Sequence, residues 1–309
     1  MKLISVVTAC YNEEDNVEKL YLRVREIMSR LADYDYEHIF IDNSSVDRTQ
    51  EILRRLAGAD RKVKVIINTR NFGHIRSPSH ALMQAHGDAV ISLVADFQDP
   101  PELIHEFVKK WEQGAKIVAG IKKASRESWP MSAVRRFYYR MINRLSESEQ
   151  IENFTGFGLY DRRVMDLFRQ ANDPYPYFRG FVADTGFEVA RVEYSQPARA
   201  GGITKNNFYT LYDMAMLGIT SHSKLPLRLA AYTGFILALA SLVVAACYFV
   251  YKLIFWNNFS VGTAPLVIGL FFFASVQLFF IGIIGEYVGV IHTHVLKRPL
   301  VVEKERLNF

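Results

Sequence analysis

The amino-acid sequence predicts an α/β domain with a doubly wound parallel sheet, followed by two membrane-spanning helices. Short apolar runs of strand length alternate with stretches of helical spacing along the N-terminal part of the chain. That alternation is typical of a parallel sheet with helices on its faces. The composition changes near Leu225, where two long apolar segments begin.

The apolar runs predict strands over residues 3–9, 38–41, 63–67 and 89–94. Helical spacing after the first run predicts a helix over 18–31. A polar cluster follows each predicted strand, and the carboxyl ends of parallel strands form the ligand-binding edge of such sheets. The chain contains no G-x-G-x-x-G motif, which argues against a dinucleotide site.

The length and net charge of the chain limit its domain organisation and the kinds of partner it can bind. The chain has 309 residues, which is room for one sizeable domain and a smaller part. Its 37 basic and 32 acidic residues leave a formal charge of +5. This mild excess fits anionic ligands or a lipid surface, and it predicts no nucleic-acid partner. We expect Cys10 and Cys247 to be free thiols in a chain whose soluble part is cytosolic.

Two segments, 229–251 and 253–285, carry no charged residue. About 20 apolar residues suffice to span a bilayer, so the segments predict two membrane helices; a buried hairpin of a soluble protein is the alternative. Lysine and arginine flank the pair on its outer sides, and residues 255–262, which connect the helices, contain neither. The positive-inside rule therefore predicts a multi-pass protein of the inner (plasma) membrane, with its large domain in the cytoplasm.

The predicted organisation has four parts. Residues 1–205 form a cytoplasmic catalytic domain and 206–224 an amphipathic interfacial segment; 225–290 form the membrane helices and 291–309 a cytoplasmic tail. Gly282, Gly285 and Gly289 have the spacing of close helix packing, which favours a homo-oligomer.

The stretch Ala-Asp-Phe-Gln-Asp-Pro-Pro-Glu, residues 95–102, follows the fourth predicted strand. It places Asp96 where a carboxylate can bind a divalent cation, and such a cation usually bridges the protein to substrate phosphates. A turn with solvated acids is the alternative.

Four motifs occur in order: Tyr-Asn-Glu-Glu from residue 11, Asp42 with Ser44 and Thr49, Arg-Asn-Phe-Gly-His from residue 70, and residues 95–102. Together they resemble the family 2 glycosyltransferases that act on polyisoprenyl phosphates and have the GT-A fold. The resemblance implies that Asp96 holds Mg²⁺ or Mn²⁺ on the diphosphate of a nucleotide sugar. It also implies a set of nucleotide-sugar ligands: Tyr11, Glu13, Asp42, Ser44, Arg70, Gly73, Asp96 and Gln98. A helix N-cap is an alternative role for Asp42.

The chain departs from the family pattern at two acids. Val94 stands at the first Asp of the family form D-A-D-x-Q-D-P-P-E, so metal binding rests on Asp96 with Asp99 nearby. Gly156 stands at the acidic position of G-D-F-R-L-x-D-R-R, so the usual base is absent. Asp161 matches a later position of that segment and is either catalytic or structural, paired with Arg162 or Arg163. Asp184 is a weaker candidate acid.

Residues 199–205 match the family's R-x-x-G-x-[ST]-K, and residues 121–153 are basic and aromatic. Cations beside flexible glycines suit a loop that closes over phosphate, and a surface turn is the alternative. The basic segment is typical of a helix on an anionic membrane surface, and a solvated helix face is the alternative. The residues predicted to hold the acceptor phosphate are Arg135, Arg136, Arg199, Thr204 and Lys205.

The resemblance implies inverting transfer of one sugar to undecaprenyl phosphate, with glucose from UDP-glucose as the first choice and mannose or another UDP-sugar as alternatives. A phosphate monoester is largely a dianion at pH 7 and needs no protein base. Arg199, Lys205, Asp96 and Asp161 are the candidate catalytic residues.

Two other functions are alternatives to sugar transfer onto a lipid phosphate. A processive polysaccharide synthase is disfavoured because no Trp follows an Arg, as its Gln-x-x-Arg-Trp motif requires. A catalytically decayed, membrane-anchored nucleotide-sugar-binding protein is suggested by Val94 and Gly156. Retention of Asp96, Arg199 and Lys205 argues against it.

Overall fold

The computed structural model describes residues 1–123, 151–196, 225–255, 263–296 and 298–309. The strands are β1 (Lys2–Cys10), β2 (Tyr34–Asp42), β3 (Val63–Asn68), β4 (Ala89–Val94), β5 (Ile117–Lys122), β6 (Phe154–Asp161), β7 (Val189–Tyr194) and β8 (Glu303–Leu307). The helices are α1 (Val17–Ser29), α2 (Thr49–Ala59), α3 (Gly73–Gln84), α4 (Ile104–Glu112), α5 (Arg162–Ala171), α6 (Phe178–Asp184), α7 (Leu225–Ile254) and α8 (Thr263–Val295).

The eight strands form one sheet in the order β7-β5-β6-β4-β1-β2-β3-β8. Strands β4, β1, β2 and β3 run parallel, which confirms the predicted strand–helix alternation. The sheet as a whole is mixed, because β6 runs antiparallel to both β4 and β5, and β8 runs antiparallel to β3. Strands β5 and β7 pair parallel and share the direction of the first four, so the prediction of a parallel sheet is wrong at β6 and β8.

Helices cover both faces of the sheet, as the doubly wound arrangement requires. One core contains α1, α2 and α4, with Leu20, Leu53 and Phe107 fully buried. The other contains α3, α5 and α6, with Met165 buried in it. Both faces of the parallel strands are thus apolar, which explains why their sequences are continuous apolar runs.

Two long apolar helices, α7 of 30 residues and α8 of 33, follow the α/β domain. Within the described residues, one segment, Phe272–Val295, is long and apolar enough to cross a membrane, by length and composition only. One candidate span is thus found where the sequence predicts two, and the second stays a prediction.

Strand β8 returns the chain to the sheet after α8. It pairs antiparallel with β3 and forms that edge of the sheet, and Leu307 lies opposite Val65. Glu305 Oε2 lies 2.8 Å from Arg54 Nη2, and Glu303 Oε1 lies 2.6 Å from His80 Nε2. Residues 303–307 therefore belong to the α/β domain, although the sequence led us to expect only a tail there.

Asn308 directly follows β8, and the hydrogen bonds of its side-chain amide predict that its mutation lowers the free energy of unfolding. Its Nδ2 donates to the carbonyl oxygens of Ala57 at 2.7 Å and Val63 at 2.8 Å. We expect Asn308→Ala to lower the free energy of unfolding by about 1–3 kcal/mol, because both carbonyls lose a donor. Denaturant titration of the detergent-solubilised protein measures the effect.

Asn308→Gly removes the same hydrogen bonds without adding backbone strain, because glycine readily adopts the φ of 62° at this position. It should also destabilise the protein. Lys304→Ala is the control, because Lys304 is exposed on the same strand. Equal stability of Asn308→Gly and Lys304→Ala would contradict the prediction.

Candidate active site

Hydrogen bonds join the loops that follow β1 and β2. The backbone N–H of Asn12 donates to Ser45 Oγ at 2.8 Å, and that of Val46 donates to Asn12 Oδ1 at 2.9 Å. The N–H of Glu13 donates to Thr49 Oγ1 at 2.9 Å. Since β1 and β2 are parallel neighbours, the two loops lie side by side at one edge of the sheet. They carry the predicted nucleotide ligands Tyr11, Glu13, Asp42 and Ser44.

Asp42, the last residue of β2, is fully buried. Its Oδ2 accepts a hydrogen bond from the backbone N–H of Ser45 at 3.0 Å, whereas its buried Oδ1 has no partner among the described residues. Burial raises the pKa of this carboxyl above its ordinary value. An unpaired buried oxygen is costly, so the site suits a ligand that donates to it. Helix α2 begins after Arg48, so the alternative role of Asp42 as a helix N-cap is wrong.

Asn43 ties the second loop to the third. Its Nδ2 donates to Asn71 Oδ1 at 2.8 Å. Its Oδ1 accepts from the backbone N–H of Phe72 at 2.9 Å and from Asn68 Nδ2 at 3.2 Å. The buried amide therefore fixes the distance between the loops after β2 and β3. The sequence did not single out Asn43; its place inside the second polar cluster was the available signal.

The third loop holds the predicted nucleotide ligands Arg70 and Gly73. The guanidinium of Arg70 lies 4.1 Å from the centre of the Phe72 ring. Gly73 begins α3 with a φ of 88°, a region that favours glycine, and its N–H donates to Asn71 Oδ1 at 2.8 Å. Both residues thus lie in a loop that Asn43 holds beside Asp42.

The fourth loop follows β4 and contains two buried acids. Asp96 Oδ1 accepts a hydrogen bond from the backbone N–H of Gln98 at 3.2 Å. Asp99 Oδ1 accepts from the hydroxyl of Tyr194 at 2.7 Å. Because β4 lies parallel to β1, Asp96 and Gln98 share the sheet edge with the other predicted ligands.

The donor set at this edge fits a hard divalent cation. The part of the chain that the structure describes contains no group of three or more His, Cys, Asp or Glu residues that could hold a metal ion by themselves. Mg²⁺ is commonly bound by one or two carboxylates, with the remaining ligands from substrate phosphates and water. Asp96, with Asp99 nearby, meets that requirement.

The two positions where the resemblance implies an acid lack one here. Val94, the last residue of β4, is half-exposed. Gly156 lies in β6 with a φ of 100°, and a Cβ atom built on it would meet no other atom within 4 Å. The space beside Gly156 is open, and its backbone conformation disfavours a larger residue.

The structure separates Asp161 from these loops. Asp161 pairs with Ala89 at the start of β4, whereas Asp96 follows the end of that strand. Its Oδ2 accepts from Trp111 Nε1 at 2.8 Å and from Lys116 Nζ at 3.1 Å. Burial acts to raise the pKa of Asp161, but these bonds and the bond from the Arg163 N–H lower it overall.

Asp161 is the N-cap of α5, because its Oδ1 accepts the N–H of Arg163 at 3.1 Å. The structure supports the structural alternative, although the ion-pair partner is Lys116 rather than Arg162 or Arg163. The remaining predicted residues lie outside the described residues: Arg135, Arg136, Arg199, Thr204 and Lys205.

The family model for glycosyl transferase family 2 matches residues 5–168. The SfII prophage-derived bactoprenol glucosyl transferase of Shigella flexneri is 34% identical over 98% of this chain and 97% of its own length. An uncharacterized glycosyltransferase of Synechocystis is 36% identical over 96% of this chain and 93% of its own.

Among solved structures, glucosyl-3-phosphoglycerate synthase from Mycobacterium tuberculosis, in complex with Mn²⁺, UDP and phosphoglyceric acid, is similar. It is 19% identical, with a TM-score of 0.48, over 71% of this chain and 76% of that one.

The buried acid Asp99 predicts a pH effect on stability. Burial, and then the charge of Asp96, raise its pKa from 3.8 to about 6, against the lowering effect of the Tyr194 bond. The folded state therefore holds this proton more tightly than the unfolded state does. The resulting contribution to the free energy of unfolding falls as pH rises from about 4 to 6 and is constant above; its size is about 3 kcal/mol.

The side chain in Asp99→Asn does not titrate, so the free energy of unfolding of this variant should lack the fall between about pH 4 and 6. Its amide oxygen still accepts a hydrogen bond from Tyr194. Denaturant unfolding between pH 4 and 8, compared with wild type, measures the difference. Asp15→Asn at an exposed site is the control and should keep the wild-type dependence. An unchanged pH dependence in Asp99→Asn would contradict the assignment.

Proposed function

The chain belongs to glycosyltransferase family 2, and on that premise we propose that it transfers one sugar from a nucleotide sugar to polyisoprenyl phosphate, with inversion, at the cytoplasmic face of a membrane. The observation that carries the proposal is the convergence of four polar loops and the acid Asp96 at one sheet edge. The similarity to a bactoprenol glucosyl transferase over nearly the whole chain supports a polyisoprenyl acceptor and favours glucose as the sugar. UDP-glucose and undecaprenyl phosphate are the substrates we propose.

The donor nucleotide is proposed to bind across the loops after β1, β2 and β3. The unpaired Oδ1 of Asp42 suits a base or ribose donor group. The other proposed contacts are Tyr11, Glu13, Ser44, Arg70, Gly73 and Gln98.

Asp96 is proposed to hold Mg²⁺ or Mn²⁺ against the diphosphate. When bound, the cation would offset the negative charge on the departing nucleoside diphosphate. The hydrogen bond from the Gln98 N–H to Asp96 Oδ1, which holds the carboxylate, supports this role.

The acceptor is proposed to react as its own dianion. A phosphate oxygen bonds to the anomeric carbon while the bond from that carbon to the diphosphate breaks, and the electron pair leaves on the diphosphate. No proton is transferred in this step, so an acid at position 156 is not required. Arg199 and Lys205, with Thr204, Arg135 and Arg136, are proposed to place the acceptor phosphate in line.

The membrane arrangement remains part of the proposal. We propose that α7 and α8 both cross the inner membrane, that 206–224 lies on its cytoplasmic surface, and that the protein forms a homo-oligomer. The candidate span Phe272–Val295 supports membrane association.

The first functional prediction concerns Asp96. Asp96→Asn should reduce transfer at least about a hundredfold, because the loss of ligand charge weakens metal binding and raises the barrier by roughly 3 kcal/mol. Transfer of labelled sugar to undecaprenyl phosphate, with and without chelator, measures the effect. Asp15→Asn is the control. Full wild-type activity in excess chelator would refute the role of the metal, and binding of the nucleotide sugar without any transfer would favour the decayed binding protein.

The second functional prediction separates two groups that titrate near pH 6. The second pKa of a phosphate monoester lies near 6, and the pKa of Asp99 is raised to about 6. Transfer should rise with pH through 6 and then level, because both groups are deprotonated above that value. If the acceptor dianion controls the rate, Asp99→Asn should keep the profile.

A flat profile in Asp99→Asn would instead assign the rise to the carboxyl. Asp161→Asn and Asp184→Asn should leave the profile unchanged. If either abolished turnover in a folded protein that still binds both substrates, a protein base would be required.

A further inference from the structure

A cavity of about 320 Å³ lies between α3, β4, the start of β6 and the start of α6. Its volume is within the range of about 300–1,000 Å³ that is usual for small-molecule sites. Apolar side chains of α3 form one wall, and polar groups come from β4, β6 and α6. The lining includes Ile75, Pro78, Ser92, Thr155, Gly156 and Arg179.

The cavity is next to the proposed donor site. Thr155, in its wall, forms a side-chain hydrogen bond with Tyr194, and the hydroxyl of Tyr194 donates to Asp99 Oδ1 at 2.7 Å. Ser92, also in its wall, lies two residues before the end of β4, which leads into Asp96. A molecule in the cavity would therefore lie close to the acids of the fourth loop.

The cavity is also next to the end of the candidate membrane helix. Arg76, on α3, donates from Nη2 to the carbonyl oxygen of Pro299, just after α8. His294 Nε2, in the last turn of α8, lies 3.8 Å from Asp173 Oδ1 in the segment before α6. Helix α3 and the segment before α6 thus both contact residues at this end of α8, so a lipid chain that leaves the bilayer here would have a short path to the cavity.

The charge of the lining favours an anion. No Asp or Glu is among its described residues, and Arg179 supplies a guanidinium, 5.3 Å from the centre of the Tyr177 ring. Within the described part of the chain, Arg179 forms no ion pair with an acid. Beside Gly156, the position where the family resemblance implies an acid, the cavity is open. With glycine at this position, no carboxylate here adds negative charge to the cavity.

Resting on the proposed function, we propose that this cavity receives the phosphate end of the lipid acceptor, with Arg179 as a binding residue for the phosphate. Arginine suits this role because its planar guanidinium forms paired, charge-assisted hydrogen bonds with phosphate. The apolar wall of α3, which includes Ile75 and Pro78, contacts the first carbons of the lipid chain.

The test compares Arg179→Gln and Arg179→Lys with the control Arg163→Gln, an exposed arginine at the opposite sheet edge. Arg179→Gln should raise the KM for undecaprenyl phosphate at least about tenfold, because it removes a charged hydrogen bond. The KM for the nucleotide sugar should stay unchanged, and Arg179→Lys should recover part of the loss. Arg163→Gln should behave as wild type.

Three inhibitors identify which part of the acceptor the cavity binds: farnesyl phosphate, farnesol and inorganic phosphate. Farnesyl phosphate should compete best with the acceptor in wild type, since it alone has both the phosphate and the apolar chain. In Arg179→Gln its advantage over farnesol should disappear. If inorganic phosphate inhibited as well as farnesyl phosphate, the contact between α3 and the lipid would be refuted.

The outcomes distinguish this inference from the proposed function. A wild-type protein that glycosylates no polyisoprenyl phosphate refutes the function; calorimetric binding of farnesyl phosphate without donor then still tests the cavity. Active wild type with an unchanged acceptor KM in Arg179→Gln refutes the cavity and leaves the function standing. If Arg179→Gln does not fold, Ser92→Val narrows the cavity from β4 and should raise the same KM; no change would overturn the inference.

Discussion

The structure depends on the parallel register of β4, β1 and β2. Cys10 lies opposite Asp42, and Ala9 lies opposite Val94, so three strands end at the same level. Their loops are therefore neighbours although they are far apart in sequence. The same register places Asp161, opposite Ala89, at the other end of β4. Which acids can act together is decided by this alignment, whatever their spacing along the chain.

Buried polar groups give the loop cluster its fixed shape. The amide of Asn43 bonds to Asn71 and Asn68, and Ser45 bonds to the loop after β1. Such groups cost free energy unless they are paired, so the paired arrangement is strongly preferred over alternatives. Among the described residues of this cluster, the Oδ1 atoms of Asp42 and Asn68 have no partner, and that of Asp42 lies where a nucleotide is proposed to bind.

The sequence predicted correctly the elements that follow from a local pattern of residues. The first four strands are buried on both faces, so continuous apolar runs in the sequence predicted them. The polar clusters directly after these runs predicted the loops. Strand β8 was not predicted, because Glu-Lys-Glu-Arg-Leu is an edge strand without an apolar run. The direction of β6, the bonds from Trp111 and Lys116 to Asp161, and the place of Arg179 depend on contacts between distant segments, which no local pattern records.

The position of β8 has a consequence for biosynthesis. This strand follows both long apolar helices in the chain, so it leaves the ribosome after them. Until then β3 is an open sheet edge, with backbone groups that can pair with other chains. In the proposed arrangement, with α7 and α8 across the membrane, the edge is covered only when the segment after α8 returns to the side of the α/β domain. Completion of the sheet would then depend on correct insertion, and a chain inserted the wrong way would keep an aggregation-prone edge.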